Sequence, residues 1–406
     1  MVNTIQSLLA TLTLTYVVVV LLLAASLAKA HRFSIRRRQE RSRERSSKLP
    51  TVSVIVVARN EEVHLPHLLT ALAAQDYPPE QMEFCVVDER STDCTRELLE
   101  QFCAQQRNAT CLSMTDVLPH FAPKKRAIDA AIRATSGEII LLTDADAHPG
   151  PGWVREVVKH FAADVVMVCG YSPYYPRKTA CENILALEYF SLAAVSAATI
   201  GANRPMTCTG SNFAYRRSAY LAIDGFEGIS HYVSGDDDLF LHKMHRARLG
   251  RIAYAGHGRI QAPVRAPASW GEFQAQRTRY ASKGAHYEWQ ATVPLVGVYL
   301  LNFFLGVGVF SIFLGATKLF AFTLLCGTMK ASSEYFLLKR AARWFCERPL
   351  LRWFIPAALL HPFYIVYFST RAPFMKFTWR GEAYAVRTVA QQTDDGARVI
   401  LSANGE

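Results

Sequence analysis

Residues 8–28 carry no charged side chain, a run as long as the roughly 20 residues that a helix needs to cross a hydrocarbon core. Leu8, Leu9 and Leu12 lead into an unbroken stretch from Val17 to Leu23. Directly after the run stand His31, Arg32, Arg36, Arg37, Arg38, Arg41, Arg43, Arg45 and Lys48. Basic residues beside a span stay cytoplasmic, so this order puts the amino terminus outside. A cleaved signal peptide carries its charge ahead of the apolar core, and residues 1–10 hold no Lys or Arg. The sequence therefore predicts a membrane anchor over 1–30 and a basic juxtamembrane linker over 31–50.

A second apolar region is uncharged from Ala291 to Thr317 and, after Lys318, continues to Met329. It predicts two tightly linked membrane helices within 291–333, with Lys318 snorkelling or facing the bundle. A basic loop is expected over 334–352 and a tail over 371–406. Between them, 353–370 contains Pro356, His361 and Pro362 and reads as either a kinked span or an interfacial helix. The segment 271–290, with Tyr280, Tyr287 and Trp289, is amphipathic and aromatic and predicts a helix lying along the headgroups.

The net charge of +11 sits mostly beside these apolar segments, at 31–48, 339–352 and 371–380. Anionic lipid headgroups are the simpler partner there, and nucleic acid is not expected. The nine Cys form no C-x-x-C pair and lie in apolar surroundings such as Phe84-Cys85-Val86. They read as buried thiols of a reducing compartment. His242, His245 and His257 lack the tight spacing of a zinc site.

Over 51–270 the pattern changes to an α/β alternation: strand 51–57, helix 62–74, strand 82–87, helix 92–105, helix 123–135, strand 138–143, helix 151–162, strand 164–169. Such alternation calls for a mostly parallel sheet with helices on both faces. Ligands in such sheets lie beyond the carboxyl ends of the strands. Those ends read Ala58-Arg59-Asn60-Glu61, Asp88-Glu89-Arg90-Ser91-Thr92-Asp93 and Thr143-Asp144-Ala145-Asp146. Carboxylates crowded on one rim repel unless a positive charge sits between them. A hard divalent cation, Mg2+ or Mn2+, bridging phosphate oxygens supplies it, and Asp144 and Asp146 are the best candidate metal pair.

Taken in order, these tips and three later segments resemble the family 2 glycosyltransferases, inverting enzymes of the GT-A fold. The family's Pro-x-x-Asn-Glu pattern is matched at Val57–Glu61, its Asp-Asp-x-Ser-x-Asp loop at Asp88–Asp93 with Glu89 as a departure, its Lys-x-x-Ala-Leu at Lys124–Ile128, and its Asp-x-Asp at Asp144–Asp146. Thr209–Arg216 resembles the Thr-Gly-x-Asn-x-Ala-x-Arg segment near the acceptor pocket. Gln276–Tyr280 resembles Gln-(Gln/Arg)-x-Arg-Trp with Tyr in place of Trp. The family's Glu-Asp-x-Asp-Leu, whose second acid is the catalytic base, aligns with Gly235–Leu239, leaving Asp236 or Asp237 as the base.

The resemblance implies an α/β GT-A domain that binds a nucleotide-sugar donor, flanked by membrane helices. Asn60, Glu61, Asp88, Glu89, Lys124 and Asp144 fall on the donor side. Gly210, Ser211, Asn212, Gln276, Arg277, Arg279 and Tyr280 fall on the acceptor or diphosphate side, where the fixed fork of an Arg suits phosphate oxygens. The expected acceptor is lipid-linked or a glycan, at the cytoplasmic face of the inner membrane, with envelope-assembly proteins as possible partners. A processive synthase of a β-linked polysaccharide and a non-catalytic membrane scaffold are the alternatives. A nucleotidyltransferase would need a phosphate-binding loop after the first strand, and Ala58–Glu61 is not one.

Overall fold

A computed structural model describes residues 2–43, 49–116, 118, 120–284, 287, 289–371, 376–379 and 382–385. The apolar run and the basic run form a single helix, α1 (Val2–Arg43), about 60 Å long. The linker expected over 31–50 is thus helical as far as Arg43, and 44–48 lie outside the described residues. No Pro or Gly interrupts the basic stretch, and its Arg, Gln and Glu are good helix formers. Its charges also have protein partners. Arg37 pairs with Asp164 at 3.1 Å and Arg38 with Glu156 at 3.0 Å, Ser34 Oγ lies 2.9 Å from His160 Nε2, and the His31 ring stacks on Trp344.

The domain that follows runs β1 (Val52–Ala58), α2 (Leu65–Ala73), β2 (Met82–Glu89), α3 (Thr95–Gln105), β3 (Ala109–Met114), α4 (Pro123–Ala134), β4 (Ile139–Asp144), α5 (Trp153–Val158) and β5 (Val165–Gly170). It continues with α6 (Ala180–Gly201), β6 (Phe213–Arg216), α7 (Arg217–Ala222), α8 (Asp238–Ala247) and β7 (Arg251–Ala255). The strands form one sheet in the order β3-β2-β1-β4-β6-β5-β7, and β6 runs against both its neighbours while the other pairings are parallel. β1 reads as continuously apolar because both its faces are covered: Val52, Val54, Ile55 and Val56 have no exposed surface. Register sets the rim. Ala58 lies opposite Asp88 and Val57 opposite Asp144, so the carboxyl ends of β1, β2 and β4 stand level.

The remaining chain forms α9 (Trp270–Gly284), α10 (Trp289–Phe310), α11 (Thr317–Trp344), α12 (Phe354–Arg371), β8 (Lys376–Trp379) and β9 (Glu382–Ala385). Among the described residues four helical stretches are long and apolar enough to cross a membrane: Val2–Glu40, Ala180–Gly201, Thr292–Leu314 and Arg348–Arg371. α11, expected as a second span of the 291–333 pair, is not among them, because Lys330, Glu334 and Lys339 follow its apolar start. The basic loop expected over 334–352 is instead the end of α11 and a 3-10 turn. Leu337, Leu338, Ala341, Ala342 and Phe345 recur at helical spacing and are buried in the main core. α6 is mostly apolar because it is an interior helix, packed against α1, α12 and β7.

Candidate functional site

At the tips of β1 and β2 the expected donor-side residues mostly join one loop to the other. Asn60, left-handed at φ 52, accepts from Thr92 N at 2.8 Å through its Oδ1 and donates its own N–H to Ser91 Oγ at 3.1 Å. Glu61 N donates to Thr95 Oγ1 at 2.8 Å, and Asp88 Oδ1 accepts from Ser91 N at 3.2 Å. Asn60, Glu61 and Asp88 are not among the residues that line the cleft beyond these tips; on this side its lining is Val57, Arg59 and Glu89. Glu89, the departure from the resembled pattern, is buried and carries two guanidinium partners: Arg126 at 3.2 Å and Arg90 at 2.9 Å.

The β4 tip supplies Asp144, Ala145 and Asp146 to the same cleft. Burial, and after it the charge of Asp144, pushes the Asp146 carboxyl up to about 7. Lys124, in the first turn of α4, reaches across with Nζ 2.8 Å from Asp144 Oδ1 and 2.8 Å from Asp236 Oδ2. Burial alone would lower its pKa, but the two carboxylates hold it well above the ordinary lysine value.

The acids at 236–238 have three different surroundings. Asp236 is buried against Lys124. Asp237 caps α8, its Oδ1 accepting from Asp238 N at 2.7 Å, and a Cβ on Gly210 would lie 3.2 Å from its Oδ2. Asp238 fixes the preceding loop, accepting from Thr207 Oγ1 and Cys208 N at 2.9 Å each and from Tyr287 OH at 2.9 Å. Gly235, standing where the resembled pattern has Glu, has φ 89, a conformation that glycine adopts freely.

α9 forms the opposite wall. Gln276, Arg279 and Tyr280 line the cleft with Ser211, and Gln276 Oε1 accepts from Tyr174 OH at 3.1 Å. Arg279 lies in the field of Asp237, Asp236 and Asp144. Two expected residues are turned elsewhere. Arg277 is buried, ion-paired to Glu188 and covered by the rings of Phe273, Tyr280 and Tyr364. Asn212 is buried: its Oδ1 accepts from Trp153 Nε1 at 3.1 Å, while its Nδ2 donates to Tyr171 O at 3.0 Å and Ile260 O at 2.8 Å. Sequence reasoning missed Tyr174 and Tyr189, stacked with centroids 4.3 Å apart in the cleft wall, and Arg265 on its rim. Tyr189 belongs to α6, in which no motif marks it, and Arg265 sits in coil.

Among the described residues no three His, Cys, Asp or Glu side chains gather in metal-binding geometry. Asp144 and Asp146 nonetheless make an oxygen-only pair of like charges on one wall, a donor set suited to a hard cation whose other ligands come from a bound molecule.

Two family models match the chain: Glycosyl transferase family 2 over residues 53–223 and Glycosyl transferase family group 2 over residues 139–389. Glycosyltransferase AglE of Haloferax volcanii is 30% identical over 125 residues, covering 31% of this chain and 40% of that protein. The probable glycosyltransferase YdaM of Bacillus subtilis is 25% identical over 270 residues, covering 63% of this chain and 60% of that protein. The matches thus span less than two thirds of either relative. Among solved structures, the mannosyltransferase PcManGT from Pyrobaculum calidifontis, in complex with GDP-Man and Mn2+, superposes with a TM-score of 0.52 at 20% identity. The superposition covers 83% of this chain and 97% of that one, and is a likeness of fold.

Proposed function

The chain belongs to glycosyl transferase family group 2 and has the GT-A fold, and from that premise we propose that it moves a sugar from a nucleotide-diphosphate sugar to a membrane-associated acceptor, lipid-linked or a glycan, with inversion at the anomeric carbon. The observation that carries this reading is the double contact of Lys124, which ties Asp144 of the β4 tip to Asp236 of the α8 entrance. One ammonium thereby joins the donor wall to the candidate base.

In this reading Asp236 takes the proton from the acceptor hydroxyl as that oxygen bonds to the anomeric carbon and the bond to the diphosphate breaks. Asp237 is the weaker candidate, because its carboxylate already caps α8. Lys124 holds Asp236 in place, and Arg279 brings a guanidinium to the same cleft. Asp146 and Asp144 would hold a Mg2+ or Mn2+ ion, which supplies positive charge to the departing diphosphate when bound. Tyr280 and the stacked Tyr174 and Tyr189 give the sugar or nucleoside apolar faces to lie on.

The reading also places the protein in the inner membrane through several helices, with the cleft cytoplasmic; three helices of sufficient length besides the interior α6, and the basic flank of α1, support it. Purified full chain screened against a panel of nucleotide sugars with and without Mn2+ should release nucleoside diphosphate from one donor. Asp146→Ala should abolish the release, and Asp236→Asn should cut transfer by orders of magnitude with donor binding intact. Release that survives both chelator and Asp146→Ala sinks the metal assignment.

A further inference from the structure

We propose that Arg265 binds the donor's diphosphate, aimed at it by His64. The inference rests on the nucleotide-sugar reading and adds to it a phosphate ligand that no motif indicates. Two arginines of α9 suit that role by sequence, but Arg277 is committed to Glu188 beneath three aromatic rings. Lys124 is committed to Asp144 and Asp236, and Arg279 lies in the field of Asp237, Asp236 and Asp144.

Arg265 differs from all of these. It is exposed on the cleft rim, and among the described residues no carboxylate lies within ion-pair distance of it. Its hydrogen-bond partner is His64, whose Nε2 lies 3.1 Å from Nη1 and accepts from it. A guanidinium has five N–H donors, so four remain for a ligand, and a neutral imidazole partner leaves its charge uncancelled. The backbone that carries it is fixed next to the metal-pair loop. Val264 N donates to Pro173 O at 2.9 Å, and His148 N, two residues past Asp146, donates to Pro263 O at 2.7 Å. An uncompensated cation, rigidly mounted beside two carboxylates suited to a divalent ion, matches a diphosphate that such an ion would bridge.

The test is calorimetric titration of the full chain in lipid nanodiscs with Mn2+, using UDP, GDP, CDP and ADP and then the monophosphate of whichever diphosphate binds. Arg265→Gln should weaken the diphosphate roughly 10- to 100-fold and leave the monophosphate unchanged, so the variant's fold is checked in the same experiment. His64→Gln keeps an acceptor for the guanidinium and should bind as wild type, whereas His64→Leu should lose several-fold in diphosphate affinity alone. A wild type that prefers diphosphate to monophosphate, with that preference intact in Arg265→Gln, overturns this assignment and leaves the nucleotide-sugar reading standing. A wild type that binds none of the four diphosphates overturns the nucleotide-sugar reading itself.

Discussion

Replacing Asn212 with alanine removes one buried amide to which three other polar groups are bound: Trp153 Nε1, Tyr171 O and Ile260 O. Trp153 and Tyr171 have no exposed surface, so water cannot readily replace the lost partner. A buried polar group left unsatisfied costs about 1–3 kcal/mol, which for three groups makes roughly 3–9 kcal/mol. A loss of that size lowers the melting temperature of a chain this large by on the order of 10 °C. Thermal unfolding of the detergent-solubilised protein followed by tryptophan fluorescence measures it. Gly170→Ala serves as a control, since its Cβ would lie 2.6 Å from Asn212 Cγ and displace the same amide without touching the cleft. The reasoning is refuted if Asn212→Ala melts within about 2 °C of wild type yet loses transfer, for the side chain would then serve the acceptor as its motif suggests.

Arg277→Gln should strand the partly buried Glu188 and cost about 3 kcal/mol, and adding Glu188→Gln should recover part of the loss. A double-mutant cycle of melting curves checks this, and additivity of the two changes would disprove the coupling. His160 is buried, and that burial pulls its pKa from 6.5 to about 4. The unfolded chain therefore takes up a proton near 6.5 and the folded chain only near 4. Stability is full above pH 6.5 and falls by up to about 3 kcal/mol as pH drops to 4. His160→Gln should flatten the melting temperature between pH 6.5 and 4.5, and a slope equal to that of wild type would rule out this histidine as the source.

The strands that could be read from sequence are those whose two faces are covered. β1, β2, β4 and β5 announce themselves by continuous apolar runs, and the acids after three of them gave the rim. β3 is a partly exposed edge strand with Thr, Cys and Ser among its six residues, and β6 has only four. Neither repeats anything long enough to detect. For the site, a motif fixes which residue type stands at which position, not which way it turns. Lys124, Asp144, Asp146, Arg279 and Tyr280 do meet in one cleft, whereas Asn212 and Arg277 point into the protein. The three consecutive acids at 236–238 look redundant in sequence. In the fold one meets Lys124, one caps a helix and one anchors a loop.

The same distinction bears on how the cleft is held relative to the apolar helices. Sequence patterning suggests a basic juxtamembrane linker over 31–50 between the anchor and the domain. Instead the basic half of α1 lies against the domain through Arg37, Arg38 and Ser34, and the end of α11 is buried in its core. α9, which carries Arg279 and Tyr280, is joined to α6 by Arg277 and Glu188, and Glu188 in turn accepts from Tyr364 OH of α12 at 3.2 Å. A wall of the cleft is thus bonded, through one partly buried carboxylate, to a helix long enough to cross a membrane. With that helix seated in lipid, as the proposed function has it, the cleft's depth and tilt would be set with it. On the function proposed above, a membrane-associated acceptor would then meet the cleft at that depth.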